Sequence, residues 1–533
     1  MIRRVPSTLW LALLCAATFA LYAWNLGRGP IYLYDAEVLF ALHAHAIAAT
    51  GHDTNGRLLP LYFQMPAIGE NVWFHPAIVY FTAPFLRVLP FSEWAVRLPS
   101  VCIGVIDVIL IYGIAQRIFG SDRWALLASA FLALTPAHFI HSRMAMDYLY
   151  PVPFVMAWLL CLLIFLERGR PGMLFLATSF LGLGFYSYIA SIVMMPVYLL
   201  VTCIVLWATS PRRLLSTAVA VAGFAWPLAF LAWIFFHPDV LGQTLGRYQI
   251  GEQIAAAASG RQSLAEILEA LRKPLRFSSM TGRVSLYWYF FDPAYLFVTG
   301  GYANVVNSTR HVGVFALPFL LFVPVGLARL AVRRRLIDVI VLFGFLSAPL
   351  AACLVVPEPY AIDRELALLP FGVLIAVCGV QVLMSARRAA VRMAAVLALA
   401  LVPLHFAFFV FDYFGDYRLR SAFWFEWNHR DAFELAIARA AQDQSPAVYI
   451  STDQTPYIDA YWRFYVTKQR AEALLNQTRF FSADAIDLQA IPPKSLLIVG
   501  PRGAEALAGS AHVRRIAIIP EPADPPFFSI WQR

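Results

Sequence analysis

About eleven long apolar runs leave this chain few ways to fold. They lie near residues 8–26, 99–116, 124–140, 148–166, 173–187, 190–208, 215–236, 311–328, 337–356, 366–384 and 393–411. All but the shorter run at 173–187 are about 17–23 residues long, the length a helix needs to cross a bilayer core. Backbone groups in hydrocarbon must be satisfied within the segment, so runs of this kind fold as helices. The chain is 60% hydrophobic and 14% charged, with mean hydropathy +0.66, whereas soluble proteins carry about a quarter charged residues. The 533 residues therefore read as an α-helical polytopic membrane protein, not a string of soluble domains. No heptad is sustained and aromatics reach 15%, which excludes a coiled coil or a disordered chain.

The net charge of +9 invites a nucleic-acid reading until its residues are located. With a cytoplasmic N-terminus, one set of connections holds Arg3, Arg4, Arg117, Arg123, Arg168, Arg170, Arg212, Arg213, Arg329, Arg333, Arg334, Arg335, Arg387, Arg388 and Arg392. The opposite set holds longer segments of mixed charge. This is the positive-inside pattern, so the basic excess orients the chain. A nucleic-acid surface would gather cations on one folded face. The first run is expected to be a retained anchor, because the sequence behind it does not have the composition of a soluble mature domain. The expected location is a bacterial inner membrane, with the large loops and the C-terminus extracytoplasmic. All six cysteines fall in the apolar runs, against disulfides and Cys-type zinc sites. No P-loop or dinucleotide fingerprint is present.

The expected organisation is a membrane module, 1–411, and a small α/β domain, 412–533. The module carries extracytoplasmic loops at 27–98 and 237–310. In the first loop, the apolar but proline-punctuated stretch 76–91 is expected to lie along the interface or re-enter. In the second, 263–272 reads as helix and the aromatic run 287–291 suits the headgroup level. The tail alone has soluble composition. Short β-like runs at 448–451, 496–499 and 515–519 alternate with helical stretches such as 431–441.

Acids at a membrane edge are costly and usually functional. Four groups stand out on the extracytoplasmic side: Asp35 with Glu37, Arg143 with Asp147, Glu358 with Asp363, Arg364 and Glu365, and His75-Pro76. A carboxylate there can deprotonate a hydroxyl while Arg or His holds the phosphate of a lipid-linked donor. Plainer roles compete. Asp35 and Glu37 suit a helix start, Arg143 and Asp147 suit a structural ion pair, and Arg364 can snorkel. Tyr188, at a short outer turn, reads as an interface aromatic or as a sugar contact. His43 and His45 are two residues apart and point to different helical faces, which argues against a metal cluster.

In order along the chain stand Tyr34-Asp35-Ala36-Glu37, Thr50-Gly51, Gly56-Arg-Leu-Leu-Pro-Leu-Tyr-Phe63, His75-Pro76 and Ala95-Val-Arg-Leu-Pro-Ser100. Then come Ser142-Arg143 with Asp147, Gly184-Phe-Tyr-Ser-Tyr188, Phe291-Asp-Pro-Ala-Tyr-Leu-Phe297, Arg364 with Leu369-Pro370, and Pro456-Tyr457. This series resembles the GT-C superfamily of membrane glycosyltransferases, in particular bacterial relatives of protein O-mannosyltransferase and the lipid A aminoarabinose transferase. The resemblance implies inverting transfer of a sugar from a polyprenyl-phosphate donor, with an acid of the first loop as general base. It implies a lipid-linked sugar donor in place of a cofactor, and it leaves a divalent metal open. The sequence departs from the family at two points. Ala36 separates two acids that are commonly adjacent, so Asp35 is the expected base and Glu37 the alternative. His75 stands where members often have Lys, and it carries a phosphate charge only when protonated.

The expected partners are thus the polyprenyl-phosphate sugar, a lipid, glycan or protein hydroxyl as acceptor, and membrane lipids, with no nucleic acid. His75, Arg143, Asp147, Tyr188 and Arg364 are the expected substrate-binding residues. The alternative function is a transporter or flippase of envelope glycolipids. It calls for polar groups midway along several spans, where only Asp107 and Asp338 are found, near ends or alone. A non-catalytic scaffold is a third reading.

Overall fold

The computed structural model describes residues 6–67, 70–235, 277–301, 305–355, 359–452, 455, 457–482 and 487–533. The loop stretch 263–272, Glu358 and Pro456 lie outside the described residues. Helices dominate. They begin with α1 (Ser7–Ala23), α2 (Asp35–Thr50), α3 (Ala77–Val88), α4 (Glu93–Phe119), α5 (Asp122–Ala133) and α6 (Pro136–His141). They continue with α7 (Pro151–Arg168), α8 (Pro171–Gly184), α9 (Ser191–Thr209) and α10 (Arg213–Leu228). Longer helices follow at Phe319–Arg333, Leu336–Ser347, Leu368–Met384 and Ala389–Phe414. Six helical segments among the described residues are long and apolar enough to cross a membrane, and shorter apolar helices include Ser7–Ala23 and Leu368–Met384.

Several apolar runs differ from single straight helices for local reasons. The run at 124–140 breaks at Leu134, and Pro136 opens a new helix where its missing N–H costs nothing. The run at 311–328 becomes helical only after Pro318. The first loop also folds a hairpin: β1 (Phe63–Ala67) pairs antiparallel with β2 (Glu70–Phe74). The stretch 76–91 forms α3 with Pro84 inside it. Arg87 of α3 donates to the Ala48 carbonyl at the end of α2 (3.0 Å), satisfying one of that helix's orphan acceptors.

Water drives no burial between helices in lipid, so close backbone packing matters more. Gly326 and Gly379 face each other's helices: a methyl on either would overlap a backbone carbonyl, of Ile375 or of Phe322. On Ala389–Phe414, the exposed Leu397, Leu401, Leu404, Phe408 and Phe411 form one apolar stripe, as a lipid-facing surface requires.

Asp107 and Asp338 are neither isolated nor strung along a path. Buried Asp107 lies 3.3 Å from His138 Nε2, and His138 Nδ1 lies 2.9 Å from the Tyr22 hydroxyl. Asp338 accepts from Arg333 (2.7 Å) and Arg335 (3.3 Å) at a basic turn. Each acid thus has a local partner, so neither stands alone, although the Asp107 Oδ1 oxygen is buried without a hydrogen-bond partner among the described residues.

After the last long helix, the chain builds a five-stranded mixed sheet in the order β4-β3-β5-β7-β6. Its strands are β3 (Val448–Ser451), β4 (Thr478–Phe481), β5 (Leu496–Val499), β6 (Arg514–Ile518) and β7 (Ser529–Gln532). Helices His429–Gln442 and Ile458–Lys468 pack beside it, and β5, fully buried, is its spine. One hydrophobic cluster runs without interruption from Tyr22 through the helices to Ile530. Phe91 of the first loop, for example, meets Phe464 at 4.6 Å between ring centroids. The tail therefore rests directly on the loop that carries Asp35.

Candidate active site

Two buried arginines sew residues 22–37 into one shape. Arg97, on α4, donates to the carbonyls of Leu26 (3.2 Å), Pro30 (2.9 Å) and Tyr32 (2.6 Å). It also grips both oxygens of Glu37 at 2.8 Å. Glu37 in turn accepts from the backbone N–H of Tyr34 (2.9 Å) and of Ala145 (2.8 Å). Arg97 and Glu37 are fully buried, and such a pair is tolerable only when every donor and acceptor is matched. Arg143 does the same work from the other side, donating to the carbonyls of Tyr22, Gly29 (2.7 Å) and Asn25 (3.5 Å). Its guanidinium also lies over the rings of Phe414 (4.8 Å) and Phe139 (5.1 Å), where the ring quadrupoles offset part of its desolvation.

Asp35 emerges from this clamped loop as the first residue of α2. Its carboxylate has one hydrogen-bond donor among the described residues, the neighbouring Ala36 N–H, and no cation pairs with it there. Burial pushes its acid up to about 6; the Ala36 N–H opposes this, and the charge of Glu37 adds to it. The two acids of one motif thus have different fates. Glu37 is committed to holding the loop, and Asp35 is left with its basicity.

The residues on either side of Asp35, Tyr34 and Ala36, line a cavity of about 200 Å³. His75, Asp147, Tyr188, Asp363 and Arg364 line it as well, with Trp73 and Tyr148 among the aromatic walls. Arg364 sits 3.5 Å from Asp363, and both are part-exposed. The Tyr188 hydroxyl donates to Asp363 at 3.4 Å, and its ring meets Tyr148 edge-on at 5.4 Å. Burial raises the acid of Asp363 although Arg364 opposes it. Behind them, the Tyr295 hydroxyl donates to fully buried Glu365 at 2.5 Å, whose acid burial pushes far above the ordinary carboxylate range. His75 is buried, with its ring edge-on to Tyr62 at 5.4 Å.

Of the residues expected from sequence, His75, Asp147, Tyr188 and Arg364 converge on this cavity, with Asp35 at its edge. Arg143 and Glu37 do not line it. Arg143 is occupied by carbonyls that its place in the sequence gave no hint of, and of the expected Arg143–Asp147 grouping only Asp147 lines the cavity. Arg97 and Asp363 were the residues to add. Arg97 lay within the stretch Ala95–Ser100, and Asp363 beside Arg364. Among the described residues, His311, Asp412 and Asp416 form one cluster of metal-ligating types. Arg420 lies in its midst, 3.2 Å from His311, 3.4 Å from Asp412 and 2.7 Å from Asp416, and supplies the positive charge there. His43, on α2, is hydrogen-bonded at 3.0 Å to the Gln64 carbonyl.

The family model for dolichyl-phosphate-mannose-protein mannosyltransferase matches residues 75–236. The chain superposes on ArnT from Cupriavidus metallidurans bound to undecaprenyl phosphate, with TM-score 0.57 and 14% identity over 99% of this chain and 98% of that one. It also superposes on the Archaeoglobus fulgidus oligosaccharyltransferase in complex with Zn and sulfate, with TM-score 0.51 and 14% identity over 88% of this chain and 61% of that one. The archaeal oligosaccharyltransferase AglB from Archaeoglobus fulgidus, in complex with an inhibitory peptide and a dolichol-phosphate, gives TM-score 0.50 at 14% identity, over 88% and 64% of the two chains. Comparison with curated proteins gives no match. The chain therefore has the fold of GT-C glycosyltransferases, as its motif order implied.

Proposed function

From this GT-C fold, we propose that the protein transfers a sugar from a polyprenyl-phosphate donor to a hydroxyl acceptor, with inversion, at the outer face of a bacterial inner membrane. The observation that carries the reading is Asp35: a half-buried acid, unpaired among the described residues and raised to about 6, at the edge of a cavity that holds Arg364. A base is most effective when its acid lies near the working pH. Asp35 takes the acceptor proton as the acceptor oxygen attacks the anomeric carbon. The bond from that carbon to the phosphate oxygen breaks, and its electron pair leaves with the polyprenyl phosphate. Arg364 holds the phosphate through charge-assisted hydrogen bonds, and His75 adds a donor when protonated. Asp147, Asp363 and Tyr188 orient the sugar hydroxyls.

In the same reading, eleven crossings with a cytoplasmic N-terminus put this cavity at the outer leaflet, and residues 412–533 form an extracytoplasmic domain above it. The undecaprenyl phosphate of ArnT and the dolichol-phosphate of AglB are the donor chemistry that an arginine-bearing cavity beside lipid would accept. The test compares lipid-linked sugars and envelope glycans in cells with and without the gene. A lipid-linked sugar accumulates and one glycan loses a residue if the reading holds. Unchanged glycans and lipid pools contradict it.

A further inference from the structure

Helices α7 to α10 carry two turns at the end away from Asp35. Asp147 and Tyr148 line the Asp35 cavity just before α7 begins, and α7 then runs 18 residues to Arg168. That is about 27 Å of helix at roughly 1.5 Å per residue. The turn after it joins α7 to α8, and the turn at 210–212 joins α9 to α10. Residues of both turns line another cavity, of about 770 Å³.

Its shape follows from a mismatch of helix starts. α8 and α10 pack backbone to backbone: a methyl on Gly223 would overlap the Phe175 carbonyl, and one on Gly182 the Phe224 carbonyl. These pairings make the two helices parallel and fix their register. Gly223 is ten residues past the start of α10 at Arg213, whereas Phe175 is four past the start of α8 at Pro171. α10 therefore overhangs α8 by more than one turn. Leu215, Ser216 and Val219 on that overhang line the cavity, as do Phe165 near the end of α7 and Leu174 of α8. Leu215 is 57% exposed, so no helix among the described residues covers that wall.

The rim has one sign. Arg168 and Arg170 flank Gly169 in the first turn, and Arg212 and Arg213 close the second. All four are exposed, and Arg212 lines the cavity itself. No carboxylate pairs with any of them among the described residues, and Glu167, their neighbour in sequence, is held by Arg117. Ser210 and Ser216, whose hydroxyls meet at 2.8 Å, add polar lining beside the second turn. The positive-inside pattern accounts for arginines on these turns. It does not call for an apolar cavity between them.

An aliphatic wall bordered by unpaired guanidinium groups matches a lipid with an anionic head, and basic pockets between membrane helices bind such heads. We propose that this cavity binds one anionic phospholipid. An acyl chain lies along Phe165, Leu174, Leu215 and Val219, and the phosphate is held by Arg212 with the other arginines of the two turns. In the orientation proposed above this is a lipid of the cytoplasmic leaflet, and the site is independent of the transfer chemistry. A neutral lipid would cover the wall and leave the cations without a counter-charge. A free phosphate would meet the cations and leave the wall bare.

The test uses the full chain, delipidated in detergent and titrated with phosphatidylglycerol under native mass spectrometry. One phosphatidylglycerol should stay bound where phosphatidylcholine is lost, and glycerol phosphate, an anionic head without chains, should not displace it. Arg212→Ala should weaken binding about fivefold, the value of one cation at an anionic surface. Arg387→Ala, on a different basic turn, should leave binding unchanged. Ser216→Trp, which fills the cavity, should abolish binding, whereas Arg364→Ala at the other cavity should not. Thermal unfolding without added lipid should match the parent in each variant. Should Ser216→Trp unfold, the comparison of Arg212→Ala with Arg387→Ala decides. The proposal is overturned if phosphatidylcholine is retained equally, if glycerol phosphate displaces the lipid, or if Arg212→Ala and Arg387→Ala behave alike. It is also overturned if binding falls with Arg364→Ala and survives a folded Ser216→Trp.

Discussion

Two arginine–carboxylate pairs near the same cavity have been put to opposite uses. Arg97 and Glu37 are fully buried, bidentate at 2.8 Å, and every remaining donor of Arg97 meets a backbone carbonyl. Arg364 and Asp363 sit at 3.5 Å, part-exposed, on the wall of the cavity. The first pair is closed: it has no geometry to offer a substrate, and its whole effect is to fix the loop. The second is part-exposed, and in the proposed chemistry Arg364 exchanges one anion for another there. An ion pair near a site is therefore not one kind of object. Saturation of its hydrogen bonds separates the part that holds from the part that binds.

Four perturbations probe this contrast. The largest effect belongs to Arg97→Ala, which strands the Glu37 carboxylate in a dry interior. Breaking one partner of such a pair costs about 3–5 kcal/mol, to be read as a fall in thermal unfolding temperature in detergent. An unchanged unfolding temperature would remove Arg97 from its structural role. Next, Arg364→Ala should leave unfolding nearly as it was and weaken undecaprenyl phosphate binding by about 10- to 100-fold. This is the loss expected when charged hydrogen bonds worth about 1.5–3 kcal/mol disappear. Arg364→Lys should recover only part of it, because an ammonium lacks the planar fork.

The third effect is in pH. In the proposed mechanism Asp35 acts when ionised, and its acid is raised to about 6, so the ionised fraction falls as pH drops through that value. Transfer should decline about tenfold between pH 7 and pH 5, and a limb centred at the ordinary carboxylate value would argue against a half-buried base. The smallest effect is Asp363→Asn. The pair is part-exposed, so its loss should cost no more than about 1 kcal/mol of stability and should appear as a change in donor KM with kcat preserved.

Much of the helical frame was legible because its signal is local. The long apolar runs needed no tertiary information, and the strands at Val448–Ser451 and Leu496–Val499 follow from short β-branched and apolar stretches. The convergence of His75, Asp147, Tyr188 and Arg364 was legible in a weaker sense: each is expected at a membrane edge, where a charge or aromatic must have a reason. What escaped was long-range pairing. The choice between Asp35 and Glu37 turns on Arg97, sixty residues away in sequence, and no spacing rule predicts that the second acid is the captured one. Arg143 looked like a substrate cation because Asp147 was near in sequence, whereas its partners are carbonyls more than a hundred residues back.

The division of labour between Asp35 and Glu37 lies at the centre of the proposed chemistry, and Asp35→Asn tests it most directly. The variant should fold, bind undecaprenyl phosphate with native affinity, and form the dependent glycan about 10²- to 10⁴-fold more slowly, the range for loss of a general base. A variant that folds, binds and still transfers at the native rate would contradict it.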